Sequence, residues 1–156
     1  VRAGIGLYGG NPTPYTQNPM HPVVDLGLPI AQIKEVEGPA SVGYGATFTI
    51  PANKKIKLAV TLGGYADGIF RCLSNVGEGV VAGVRVPIVG RVSMDSVIFD
   101  VSEIDDTLLE NQFVSLIGSE RDSENLVDSL ASEAGTISYE ILTSLGDRYD
   151  RTYIYE

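Results

Sequence analysis

Five short runs in this 156-residue chain carry side chains able to do chemistry. In SVGYGATF, Tyr44 stands between Gly43 and Gly45. Glycines on both sides remove neighbouring side chains, so a ligand or another backbone can approach the phenol closely. A tyrosine has a reference pKa of about 10, so service as a base near neutral pH requires a cation at hand. The same pattern equally suits a core tyrosine whose hydroxyl is satisfied inside the fold. In GGYADG, Tyr65 precedes an Asp67-Gly68 pair that favours a turn with positive φ. Arg71 follows closely, suited either to anion attraction or to a solvated surface. GRVSMD places Arg91 and Asp95 around Met94, readable as a salt-bridged surface turn or as part of a site. RAGIG offers Arg2 and the backbone amides of Gly4 and Ile5, a type of donor set that can cradle phosphate. TISYE reads as a helix start displaying Tyr139.

The elements that must position these groups are mostly strands. Ile5 and Leu7 lie two apart before Gly9-Gly10, the pattern of a short strand ending in a turn. The following stretch, NPTPYTQNPMHP, carries four prolines and few apolar residues and reads as a linker or arm over 11–22. Beyond it, Leu26, Leu28 and Ile30 alternate and then continue in a shifted phase, which predicts a bulge or bend near Pro29. Val42 to Ile50 is the cleanest period-2 segment and predicts one strand with Tyr44 on its apolar face. Further strands are expected over Ile56–Leu62, Val97–Val101, Phe113–Ile117 and Tyr153–Tyr155, with a Val80–Val86 hairpin turning at Ala82-Gly83. A helix is expected in DSENLVDSLASEAG, capped by Asp122 or Ser123 and closed at Gly135, and a shorter one from Ser138 to Leu145. The fold class is therefore mainly β, a closed or Greek-key barrel-like domain with one or two short helices near the carboxy terminus.

Composition narrows the function. Eighteen glycines exceed the roughly 11 of average usage and fit a strand-and-turn protein. The net charge of −9, with scattered Lys and Arg, argues against a nucleic-acid partner. No apolar run approaches the roughly 18 residues of a membrane span. The single Cys72 excludes a disulfide framework and fits a reducing, cytoplasmic setting; it is expected to be a small buried side chain. One Cys and one His (His21, in the arm) leave no set of ligands for structural zinc, and no metal is expected. The chain opens inside an apparent strand, without Met or the shape of a signal peptide, so a cut from a longer polypeptide is expected.

Taken in order, RAGIGLYGG, SVGYGATF, GGYADG, PIVGRVSMD and TISYEIL resemble the carboxy-terminal part of alanine racemase, a PLP-dependent family of fold type III. The resemblance covers nearly the whole chain. It implies an isomerase that interconverts L- and D-alanine for the cell wall, working as a homodimer with a small amino-acid substrate. It implies that residues 1–10 are the last strand of an α/β barrel otherwise missing here, that 11–22 is the linker, and that 23–156 is the β domain. The pyridoxal 5′-phosphate lysine would lie in that missing barrel, since none of Lys34, Lys54, Lys55 and Lys57 matches its motif, and the fragment alone is expected to be inactive. By the same resemblance, Tyr44 matches the catalytic base on one face of the PLP-bound substrate. Arg2 matches the arginine facing the pyridine nitrogen. Gly4, Ile5 and Tyr139 match contacts to the cofactor phosphate. Met94 matches the residue whose amide meets the substrate carboxylate, while Tyr65 and Arg71 match residues of the substrate entrance. Ser93, Asp150 and Ala3 stand where the family often has Cys, Pro and Pro, and none of these departures removes a proposed catalytic group. A serine or broad-specificity racemase, or a non-catalytic β domain used for dimerisation or binding, are the other readings of the chain.

Overall fold

The computed structural model describes residues 1–13, 15–109, 113–118 and 126–154. Its centre is a six-stranded antiparallel sheet in the order β6-β5-β8-β1-β4-β7. The strands are β1 (Leu26–Glu37), β4 (Lys55–Leu62), β5 (Glu78–Val81), β6 (Val84–Pro87), β7 (Ser96–Asp100) and β8 (Phe113–Ile117). A separate hairpin joins β2 (Ala40–Val42) to β3 (Phe48–Ile50). Two helices, α1 (Val127–Ala134) and α2 (Ser138–Ser144), follow the last strand.

The sheet is curled because β1 serves two partners. Leu26–Pro29 pair with β8, and Ile30–Glu37 pair with β4. The register slips at Leu26/Gly27 and again at Ile30/Gln32, either side of Pro29, as the phase shift predicts. Bulges of this kind bend a strand and increase its twist. The curl brings the sheet's two edges together through an Ile88–Phe99 bridge and a 2.9 Å bond from the Val89 N–H to the Ile98 carbonyl. The result is a curled sheet whose edges touch, rather than a fully laddered closed barrel. Inside it, Leu28, Phe99, Val97, Val114 and Leu116 are buried, with Leu130 and Ile141 packed from the helices. The turn of the β5–β6 hairpin uses Ala82 and Gly83, both at positive φ, the geometry that matches strand twist.

Three expected strands are absent. Val42–Ile50 is a hairpin, not one strand. Gly43 (φ 71°), Gly45 (φ 72°) and Ala46 (φ 49°) adopt left-handed backbone, and a short 3-10 turn covers Tyr44–Ala46. Alternation survives in the sequence because both arms of the hairpin alternate; the glycines that look like gaps beside a ligand are also what reverses the chain. Gly4–Tyr8 is a 3-10 helix with Gly4 at φ 61° and Gly9 at φ 82°, and among the described residues no strand pairs with it. Its Ile5 is buried and Leu7 exposed, so the spacing of two reflects one inward residue and not a pleat. Arg151–Ile154 has no regular structure, and Tyr153 and Ile154 are exposed with no partner strand among the described residues; Tyr155 lies outside them.

The helices follow expectation more closely. Gly135 ends α1 at φ 69°, and its N–H and that of Thr136 take up the last carbonyls. The expected caps Asp122 and Ser123 lie outside the described residues. Among the described residues no helix is long and apolar enough to cross a membrane.

Candidate functional site

The chemistry-bearing residues gather at two places. At the first, the 3-10 turn of Gly4–Tyr8 meets the start of α2. The Ile5 N–H donates to the Tyr139 hydroxyl at 2.6 Å, across 134 residues of sequence. Gly4 makes that approach possible, because a Cβ there would stand 2.4 Å from the Tyr139 oxygen. Asp128 of α1 fixes both sides of the junction: its carboxylate accepts from the Asn11 N–H at 2.9 Å and from the Ser138 hydroxyl. Asn18 also reaches it at 3.5 Å, so the Pro-rich arm is fastened to the helices and is not a free linker. An open groove of about 740 Å³ runs over this junction, with Arg2, Gly4, Ile5, Ile137 and Tyr139 among its walls.

This groove fits the phosphate end of PLP. A tyrosine hydroxyl that accepts from a backbone N–H keeps its own proton to donate outward, and Arg2 adds a permanent positive charge. The Asp128 carboxylate in the wall is already occupied by donors and does not oppose an anion as a bare charge would. No lysine lines the groove, so a covalent anchor for the cofactor is not supplied from these walls. Lys55 pairs with Glu35 and Lys57 with Asp106, each at 2.6 Å, far from any such role.

At the second place, three loops present Tyr44, Tyr65 and Met94, all exposed. The base of the Tyr44 hairpin is held by burial of Val42 and Ile50 against Ile56, Leu58 and Val89, a small core separate from that inside the sheet. Each such side chain contributes about 1.5–3 kcal/mol. The tip rests on the next loop: a Cβ on Gly43 would lie 3.2 Å from the Arg91 N, and one on Gly45 3.4 Å from the Arg91 guanidinium carbon. Tyr44 itself is 74% exposed, so the core-tyrosine reading fails. Arg91, readable from sequence as half of a surface ion pair or as part of a site, lies against the turn carrying Tyr44.

The loop from Arg91 to Asp95 is joined in turn to Gly63–Ala66. The Gly63, Tyr65 and Ala66 N–H groups donate to the carbonyls of Asp95, Ser93 and Met94 at 3.0, 2.9 and 3.1 Å. Among the described residues the Met94 N–H has no hydrogen-bond partner and remains available to a ligand. Ser93 holds this turn by accepting from the Ser96 N–H at 3.1 Å and donating to the Ser96 carbonyl at 2.9 Å. Asp67, a plain turn residue by sequence, is 3% exposed and salt-bridged to Arg148 at 3.0 Å. Arg148 also meets Asp95 at 2.8 Å, and that hydrogen bond, followed by the Asp67 charge, raises its already high pKa. The neighbouring Tyr149 phenol is pushed up to about 12 by burial and then by the Asp67 charge. Arg148 lies in no motif, and Asp67 within GGYADG signals a turn but not a buried, salt-bridged carboxylate.

Arg71 lies on a short 3-10 turn and is exposed, with no bond to Tyr65 or Met94. Cys72 is exposed and not buried as expected, its thiol 3.4 Å from the Ala134 carbonyl. His21 is exposed on the arm.

Residues 23–153 match the family model described as alanine racemase, C-terminal domain. The chain is 51% identical over 155 residues to an alanine racemase of Rhodospirillum rubrum, covering 98% of this chain and 40% of that protein. It is 48% identical to a catabolic alanine racemase of Agrobacterium fabrum, covering 99% of this chain and 38% of that protein. Among solved structures, the alanine racemase of Streptomyces coelicolor A3(2) superposes with a TM-score of 0.90 at 34% identity, covering all of this chain and 41% of that one. That of Bartonella henselae, with covalently bound pyridoxal phosphate, gives 0.86 at 37% identity, covering 97% and 40%. The chain thus spans about two fifths of the length of the relatives it matches, and it belongs to the alanine racemase family as the C-terminal domain.

Proposed function

We propose that this chain supplies one catalytic face of a PLP-dependent alanine racemase acting in the cytoplasm, with Tyr44 as the proton-transferring group. The observation that carries this reading is the Tyr44 hairpin tip: an exposed phenol on a buttressed turn, beside Arg91 and next to the loop with the free Met94 amide. A core or purely structural tyrosine would not be presented in this way.

Racemisation requires a proton to leave one face of Cα and return on the other, so two groups on opposite sides must act. Tyr44 is one. The other belongs to the part of the protein that precedes this chain, an α/β barrel in this reading, with residues 1–10 continuing from it. PLP, when bound, supplies the electron sink that makes the Cα proton labile. The residues here that would hold it are Gly4 through its backbone amide, Tyr139 through its hydroxyl, and Arg2 against the ring nitrogen, while the Ile5 amide would reach it only by exchanging its bond to Tyr139. The Met94 N–H donates a hydrogen bond to the substrate carboxylate, and Tyr65 and Arg71 narrow and charge the approach. The phosphate groove and the Tyr44 loops lie on different parts of the same chain. A homodimer in which one subunit's Tyr44 loops face the other's cofactor satisfies both.

The test joins this chain to the preceding part of the Rhodospirillum rubrum relative and follows conversion of L- to D-alanine with PLP. Tyr44→Phe removes the proton-carrying atom and is expected to lower kcat by about 10²–10⁴-fold. Activity equal to the unsubstituted fusion would overturn the assignment. Serine as a better substrate than alanine would move the reading to a serine or broad-specificity racemase.

A further inference from the structure

Arg148 sits just beyond α2, in a segment with no chemistry of its own, yet its guanidinium spans the two loops that carry Tyr65 and Met94. Its Nε is 3.0 Å from Asp67 Oδ1 and its terminal nitrogen 2.8 Å from Asp95 Oδ1. The other Asp67 oxygen accepts from the Gly64 N–H at 2.8 Å, so the buried carboxylate links the arginine to the backbone immediately before Tyr65. Asp95 is the residue after Met94, and its carbonyl receives the Gly63 N–H. The bracket closes on a third side through α2: Ser144 Oγ donates to the Gly68 carbonyl at 3.1 Å and the Gly146 N–H to the Asp67 carbonyl at 3.3 Å. Gly64 and Gly68 permit this, since a Cβ at either would lie 2.3 Å or 2.2 Å from the facing carbonyl oxygen.

A fork with two donors at a fixed angle is needed here. A single ammonium is a point donor and does not hold two carboxylates from different loops in one plane. The side chain is partly open to solvent, so its value lies in geometry more than in stability. Asp67 is the opposite case: a carboxylate in the interior retained only because it is fully partnered.

We propose that Arg148 is a positioning residue that, through Asp67 and Asp95, sets Tyr65 and the Met94 amide relative to one another. This rests on the reading of Met94 as a substrate-carboxylate contact, which deepens the proposed function. Its consequence is specific: losing the bracket loosens substrate binding while the proton-transfer group, on a different hairpin, stays in place.

Two measurements separate the bracket from the function. In the 156-residue chain, amide hydrogen exchange is compared between wild type, Arg148→Gln, Arg148→Lys and Asp95→Asn. The expected result is at least tenfold faster exchange at Tyr65 and Ala66 in Arg148→Gln and Arg148→Lys, with Val97 and Phe99 unchanged. Asp95→Asn keeps Asp67 and its bond to Gly64, guards against a failure of the arginine variants to fold, and is expected to give a smaller rise at the same two amides. Unaltered exchange at Tyr65 and Ala66, a rise spread evenly over the sheet, or full rescue by lysine would each overturn the bracket. In the fusion with the Rhodospirillum rubrum relative, Arg148→Gln is expected to raise KM for alanine at least fivefold with kcat within twofold. Looser amides with an unchanged KM, or a fall in kcat alone, would overturn the positioning role. An inactive wild-type fusion would count against the proposed function, while the exchange experiment would still decide the bracket.

Discussion

The groove at Ile5 and Tyr139 and the loops at Tyr44, Tyr65 and Met94 are built on opposite plans. The groove is a backbone site. Its central contact joins an N–H to a hydroxyl across 134 residues, its glycine is there to admit an oxygen, and the arm that passes it is bonded to Asp128. The loops are a side-chain site. The phenol of Tyr44 makes no hydrogen bond among the described residues, and everything rigid lies beneath it: Val42 and Ile50 under the hairpin, Arg148 under the other two loops. A surface that must hold one end of a cofactor benefits from fixed donors. One that must move a proton needs an acid or base left free to react, on a base that does not move. The difference predicts that substitutions in the first place are felt as stability, and substitutions in the second as turnover at Tyr44 and as substrate binding at the Tyr65 and Met94 loops.

Thermal unfolding of this chain can break that division. The largest effect is expected not in either site but where they are tied together, at Gly68. Gly68→Ala adds a Cβ 2.2 Å from the Ser144 carbonyl at φ 92°, for a loss of about 2–4 kcal/mol from strained backbone and overpacking. Gly135→Ala, at φ 69° with open space around it, supplies the control and should cost about 1 kcal/mol. Equal losses at the two glycines would mean that backbone conformation alone, and not the contact with α2, governs the turn.

Next in size is Tyr139→Phe, which strips the Ile5 N–H of its partner. An orphaned amide at a buried residue costs about 1–3 kcal/mol, or several degrees in Tm for a domain of this size. Tyr44→Phe should leave Tm within about 1 °C, because its hydroxyl bonds to nothing that would be lost. A reversal of the two, with Tyr44→Phe the more destabilising, would end the distinction between a held site and a free one.

The smallest effect concerns Glu133, away from both sites. Burial, ahead of its other influences, raises its pKa, while the Glu78 N–H bonded to it acts in the opposite direction. A carboxyl whose folded pKa lies above its unfolded value gives its full contribution below the unfolded pKa, near 4.3, and loses it as pH rises through the folded one. Glu133→Gln should therefore stabilise the chain at pH 7 by a few tenths of a kcal/mol, after allowance for its partial exposure, and not at pH 4. Melts of the two proteins at both pH values check the sign.

Much of the framework was readable along the chain. The alternation of β4 and β7, the slip near Pro29, the Ala82-Gly83 turn and the glycine at the end of α1 are local patterns, and each element took the form its own residues favour. The errors share a cause. A hairpin and a strand have the same period, so SVGYGATF could not say whether its glycines open a gap or turn a corner. A short apolar pair such as Ile5 and Leu7 cannot say whether a strand lies beside it. Side-chain roles divided likewise: the ordered motifs led to Tyr44, Met94 and Tyr139 and contained Arg91 without assigning it a role, whereas Asp128 and Arg148 carry no motif.

The sequence by itself determined that the chain is mainly β, that it belongs with the alanine racemases, and which tyrosines to examine. Residue types and short spacings encode such properties directly. Only the tertiary structure decided that Tyr44 stands at an exposed hairpin tip, that Ile5 meets Tyr139, and that one arginine near the carboxy terminus ties Asp67 to Asp95. Those facts depend on chain reversals at positive-φ glycines and on contacts between residues far apart in sequence, which no local pattern specifies.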